Sequence, residues 1–164
     1  MDAVPTPPSP QMIKKKVKKL KPVKAAYIAA LIDGEGSVTL CRKNKHVYRR
    51  IDISINNSDK KMLEWVLKAV GAGKILPKKI YSEKHTPTFT YRIVCREALP
   101  FLKQILPYLH TYKKDRTKLI LKEFMKLTPR NGKYSEKMLN KKIDFTKRFF
   151  AINPTQRKRV HDWI

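Results

Sequence analysis

Cysteine is nearly missing from this chain: Cys41 and Cys95 are the only two in 164 residues, far apart and both in strand-like runs. Their scarcity excludes a disulfide framework and a Cys-x-x-Cys metal site, and it fits an intracellular, reducing compartment without secretion. The four histidines, His46, His85, His110 and His161, are scattered without metal-ligand spacing. No apolar run approaches the roughly 18–20 residues that a membrane span needs, so no membrane partner is expected. Acids are scarce too, with 13 Asp+Glu against 38 Lys+Arg and a formal net charge of +25. Self-repulsion on that scale is tolerated when a polyanion neutralises it, which makes nucleic acid the expected partner. A ribosomal or membrane-surface protein would share that composition.

What is present is enough for one domain with a real core, though hardly for two: 41% of the residues are hydrophobic. The first 22 residues are Pro-rich and then Lys-rich, with seven lysines between Lys14 and Lys24. They read as a flexible arm, either solvated or adding phosphate contacts, and not as a targeting signal. A helix over 27–32 with Gly34 as its stop precedes strands over 37–41 and 48–56, in which Val38 and Leu40, then Ile51, Ile53 and Ile55, share one face. Capping residues open a helix over 59–70, closed by glycines. A second hairpin follows over 74–81 and 88–95, then helices over 97–109, with Pro107 kinking or ending it, and 113–127. After a break at TPRNGK come basic helices over 135–152 and 154–164.

That order predicts an α+β layer with helices on one face of a four-stranded antiparallel sheet. The other face would carry Ser37, Thr39, Cys41 and Lys43, then Tyr48, Arg50, Asp52 and Ser54, then Thr88, Thr90 and Arg92, with Lys45, Lys74 and Lys78 nearby. Such a saddle suits a double-stranded DNA groove, although most polar sheet faces are simply solvated. Asp33 and Glu35 pose a separate puzzle. They sit at the end of the first helix, where partial negative charge and unpaired carbonyls should repel carboxylates.

The stretch IAALIDGEG, residues 28–36, resembles the nine-residue signature of the LAGLIDADG homing endonucleases, with Ile28 for the first Leu, Ala30 for the Gly, and Glu35 in place of the second Asp. The likeness extends through INNSDKKMLEWV, VGAGKI and LPYLHTYKKDRTKLILKEF. It implies an αββαββα core over residues 23–128, with the basic helices of 129–164 packed on it. It also implies a site-specific, intron-encoded DNA endonuclease that hydrolyses both strands across the minor groove of a long, near-palindromic target. Two carboxylates beside helix-end carbonyls would then form an oxygen pocket for Mg²⁺, with Mn²⁺ or Ca²⁺ binding at the same place and no small-molecule cofactor.

Carried over by position, Glu35 matches the catalytic metal ligand and the Gly34 carbonyl a second contributor. Lys113, or Lys114, matches a basic residue near the scissile phosphate. Asn57, or Asn56, matches a polar residue that positions water, and Lys61, or Lys60, a second basic position. The family cuts two strands with two repeats or with two subunits. Only one signature occurs here, so the resemblance implies a homodimer, with Ala26, Ala29, Ala30 and Asp33 at its interface and Ala25 also small enough to help. Three rivals remain: an RNA-splicing maturase of the same fold, a non-cleaving nucleic-acid-binding protein, and a PD-(D/E)xK nuclease built on Asp52 and the DKK from Asp59.

Overall fold

The computed structural model describes residues 16–42, 49–78, 86–130 and 133–152. Helix α1 (Pro22–Glu35) opens on a proline, whose missing N–H is no loss in a first turn. It runs straight through Gly34, the expected stop, and closes where the Gly36 N–H donates to the Ile32 carbonyl. The stop belongs to Gly36 for a steric reason. A Cβ there would lie 2.7 Å from the Ile32 Cα and 2.8 Å from the Ser54 carbonyl oxygen, so only glycine lets the helix turn directly into a strand.

Strands β1 (Gly36–Arg42) and β2 (Arg49–Asn57) pair antiparallel with Val38 opposite Ile53 and Leu40 opposite Ile51. Helix α2 (Lys60–Val70) follows, then β3 (Lys74–Pro77) and β4 (Phe89–Val94). The sheet is four-stranded and antiparallel, as the patterning predicts, and its strands order β1-β2-β4-β3. Helix α3 (Ala98–Ile105) gives way before Pro107 to a 3-10 turn, Leu106–Tyr108, and α4 (Tyr112–Glu123) and α5 (Glu136–Ala151) complete the described chain. The helix expected over 154–164 lies outside the described residues.

One core joins these layers. Ile51, Ile53, Ile55, Tyr91 and Ile93 of the sheet share it with Ile28 and Ile32 of α1, Leu63 and Val66 of α2, Phe101 of α3, Ile120 of α4 and Phe145 and Phe149 of α5, all essentially inaccessible to water. Asp59 caps α2, its Oδ1 accepting from the Met62 N–H at 3.2 Å. As a cap it is not the strand acid that a PD-(D/E)xK site requires. The expected arm is anchored from Val17 onward. The Lys18 N–H donates to the Val70 carbonyl at 2.8 Å, the Leu20 N–H donates to Gln104 Oε1 at 2.6 Å, and Leu20 is buried. Residues 1–15 lie outside the described set.

The α4–α5 junction holds a buried lysine. Lys142 Nζ donates to Tyr134 Oη at 2.7 Å and to Thr128 Oγ1 at 3.3 Å, and burial pushes its pKa down to about 8. The folded state then binds fewer protons than the unfolded chain between pH 8 and about 10.5, so this group's contribution to stability rises across that window. Relative to Lys142→Met, the wild type should gain on the order of 2 kcal/mol between pH 8 and 10 in urea unfolding. A pH-independent difference would show an amine protonated throughout. Above that window Tyr91, whose hydroxyl donates to the Ala72 carbonyl at 2.9 Å and whose pKa burial raises, acts in the opposite sense.

Candidate active site and nucleic-acid interface

The two acids at the end of α1 part company. Asp33 turns onto the start of α4: its Oδ2 accepts from the His110 N–H at 2.8 Å and its Oδ1 from Thr111 Oγ1 at 2.6 Å. A carboxylate is favoured there because that helix end is positive. Asp33, expected at a subunit interface, is therefore bonded within its own chain. The α1 end, with no basic residue in its last turn, receives a cation from elsewhere: Lys113 Nζ donates to the Ile32 carbonyl at 2.7 Å and the Asp33 carbonyl at 2.9 Å.

Lys113, expected near the scissile phosphate, caps the helix end from a buried position, with its ammonium near enough to Glu35 to feel that charge. Burial lowers its pKa, opposed chiefly by the neighbouring Asp33 charge. Lys114, the alternative, is half-buried on α4.

Glu35 is left over. It is exposed, as is Gly34, and makes no hydrogen bond or ion pair among the described residues. No group of three or more His, Cys, Asp or Glu among those residues could cage a metal. A lone carboxylate at a helix end still fits a hard divalent cation, because Mg²⁺ takes one or two carboxylates and completes its shell with waters and substrate phosphate.

Sheet register decides what surrounds that acid. Pairing Gly36 with Ile55 brings Asn56 and Asn57 to the same end of the sheet as Glu35. Both amides are engaged: Asn57 Oδ1 accepts the Asp59 N–H at 2.8 Å, and Asn56 Oδ1 accepts from Thr90 Oγ1 at 2.6 Å. Asn57 thus acts as a turn former ahead of α2. Lys61 is exposed on α2, and Lys60 pairs with Glu64 at 3.3 Å. Of the alanines, Ala29 is buried in the core and unavailable to a second copy, Ala25 is buried too, Ala26 is half-buried, and Ala30 is exposed.

The polar sheet face forms an open groove of about 380 Å³. Ser37, Thr39, Cys41, Asp52, Ser54, Lys78, Thr90 and Arg92 line it, as the alternation predicts, together with Leu76 and Pro77. Leu76 was not legible because KILP puts two apolar residues side by side; only its pairing with Thr90 shows which one faces the groove. Lys74 is exposed beside Arg92, and Thr88 accepts the Lys78 N–H at 2.9 Å. Arg50, opposite Cys41, is half-buried, with a buried Nε that finds no hydrogen-bond partner among the described residues. Lys43, Lys45 and Tyr48 lie outside the described residues.

Asp52 departs from its expected role. It is 3% exposed, and its oxygens take the Arg92 Nε–H at 2.8 Å as well as an Nη2–H of the same guanidinium. Burial first, then the Asp52 charge, raises the adjacent Cys41 thiol pKa. Truncation by Arg92→Ala would leave a buried carboxylate without its cation and should cost about 2–3 kcal/mol in urea unfolding, below the roughly 3–5 kcal/mol of a fully buried pair because Arg92 is partly exposed.

The LAGLIDADG meganuclease I-AabMI, bound to uncleaved DNA, superposes on 75% of this chain and 43% of its own, with a TM-score of 0.56 and 22% identity. The homing endonuclease I-CvuI, in complex with its target, superposes on 85% of this chain and 87% of its own, with a TM-score of 0.65 and 17% identity. This chain has the LAGLIDADG homing-endonuclease fold. The archaeal intron-encoded I-Vdi141I, complexed with DNA, shares the fold over 84% of this chain and 88% of its own, with a TM-score of 0.62 and 18% identity. The sequence matches no protein-family model and no curated protein.

Proposed function

We propose that the protein is a site-specific DNA endonuclease, intron-encoded and intracellular, that acts as a homodimer with a divalent metal. One observation carries the reading: Glu35 is exposed and without a partner among the described residues where α1 meets the basic sheet, while its neighbour Asp33 and the helix-end carbonyls are bonded internally. Ser37, the first groove residue, lies two positions on, within about 7 Å along the backbone. A phosphate lying over the groove's edge is therefore within reach of a cation on Glu35.

When bound, the metal would supply a polarised water and charge stabilisation for in-line attack on phosphorus. The chain's own part is to hold the helix end that carries the carboxylate, through Lys113 and Asp33, and to bind the duplex across the sheet.

The homodimer is supported by α1 itself. Val23 is 81% exposed and Tyr27 49%, its ring packed edge-on against Trp65 of α2, and with Ala30 and Gly34 they form an exposed stripe at helical spacing. Two copies crossing there would set two Glu35 carboxylates either side of a two-fold axis, one for each strand. The test is direct: purified protein with Mg²⁺ should linearise a plasmid carrying the intronless allele of the gene that flanks its reading frame. A plasmid left supercoiled, with the protein bound to it, would refute cleavage.

A further inference from the structure

Hydrogen-bond counting at the floor of the groove separates Asp52 and Arg92 into different jobs. A guanidinium carries five N–H donors. Asp52 occupies the edge formed by Nε and Nη2, taking the Nε–H with both oxygens at 2.8 Å and an Nη2–H besides. Three donors remain: one on Nη1 and one on Nη2 form the adjoining, end-on edge, and the second Nη1–H points to the Cδ side. Both residues line the groove, but the Asp52 side chain is 4% exposed beneath the guanidinium, whereas the Arg92 side chain keeps 30% exposure.

The neighbours on that face strengthen the asymmetry. Ser54 and Lys74 flank Arg92 across the strands. Ser54 Oγ is already paired with Ser37 Oγ at 2.8 Å and offers no charge to draw the guanidinium sideways. Lys74, exposed on the edge strand β3, is placed as a flexible point charge for phosphate. Arg92 lies on an inner strand, its planar fork fixed by a buried carboxylate.

We propose that Arg92 reads a guanine in the major groove and that Asp52 is its positioning residue, with no DNA contact of its own. The proposal rests on the site-specific DNA-binding reading given above. An end-on guanidinium edge matches the O6 and N7 acceptors of guanine, the commonest specific pairing for arginine. Holding the fork rigid before the duplex arrives removes the rotamer entropy that a free arginine would lose on binding. In a two-fold dimer, the guanine occurs once in each half-site.

The experiment is selection of bound duplexes from a random-sequence library, with the full-length protein and no Mg²⁺, comparing wild type with Arg92→Lys, Asp52→Asn and Lys74→Ala. Lysine keeps the charge beside Asp52 but loses the fork. The expected result is a wild-type motif with guanine at one symmetric pair of positions, where Arg92→Lys lowers discrimination about 5- to 150-fold and leaves the other positions alone. Asp52→Asn relaxes the same positions, because it acts through Arg92, and Lys74→Ala weakens all sequences alike.

An unchanged motif with Arg92→Lys, or uniform weakening of every sequence, overturns the inference while the endonuclease reading stands. A change at a different position with Asp52→Asn gives Asp52 a base contact of its own and overturns the positioning role. If wild type enriches no motif, the site-specific reading itself fails. If Asp52→Asn does not fold, Arg92→Lys still decides.

Discussion

Glu35→Gln should bind its target as wild type does and fail to cut it. Glutamine keeps the shape and one carbonyl oxygen but removes the charge that would hold a divalent cation. Cleavage should fall on the order of 10³-fold or more, since one preorganised charge-stabilising group already contributes about that much. The structure makes the variant a clean test. Glu35 is exposed and bonded to nothing among the described residues, so folding stability should move by no more than about 0.5 kcal/mol. The helix end stays in place because Lys113 and Asp33, not Glu35, fasten it to α4. A single-turnover assay on a target duplex, beside a gel-shift titration, separates the two effects. Normal cleavage by Glu35→Gln would remove the carboxylate from the chemistry.

Gly34→Arg should convert the proposed dimer into a monomer without harming the protomer. A Cβ on Gly34 meets no atom within 4 Å, and the residue lies within α1, so the protomer gives no reason for glycine there. Glycine inside a helix is in fact unfavourable by about 1 kcal/mol relative to a good helix former, and arginine recovers most of that. The unexplained glycine makes sense if a second α1 crosses at that point, where backbones come close and no side chain fits. An arginine would then place a bulky cation in the crossing and weaken association by about 100-fold or more. Sedimentation should show a monomer, thermal unfolding at low concentration should be unchanged or slightly raised, and a plasmid should be nicked at most. A dimer that still cuts both strands would move the interface away from this face.

Much of the architecture was written in local pattern. Val38 and Leu40, then Ile51, Ile53 and Ile55, alternate because a strand has two faces, and each of them is buried. Asp59 was legible as a cap because an acid before an amphipathic run satisfies the free N–H groups of a first turn. The groove residues followed from the same alternation. The helix stop did not: Gly34 and Gly36 look alike in sequence, and only the Ser54 carbonyl, brought close by strand pairing, makes Gly36 the turning point. Ala29 and Ala30 likewise differ only in which way the helix is rolled against the sheet.

By itself, then, the amino-acid order determined the α+β class, the polar groove, and the suspicion attached to two acids at a helix end. Tertiary structure alone decided that Asp33 is a helix clasp while Glu35 stays exposed, that Lys113 is a buried cap, and that Asp52 pairs with Arg92. Periodicity is a property of neighbours a few residues apart, and it is readable in one dimension. These charge pairings join residues 40 to 81 positions apart, and which oxygens end up paired or free depends on strand register and helix docking that no local pattern encodes.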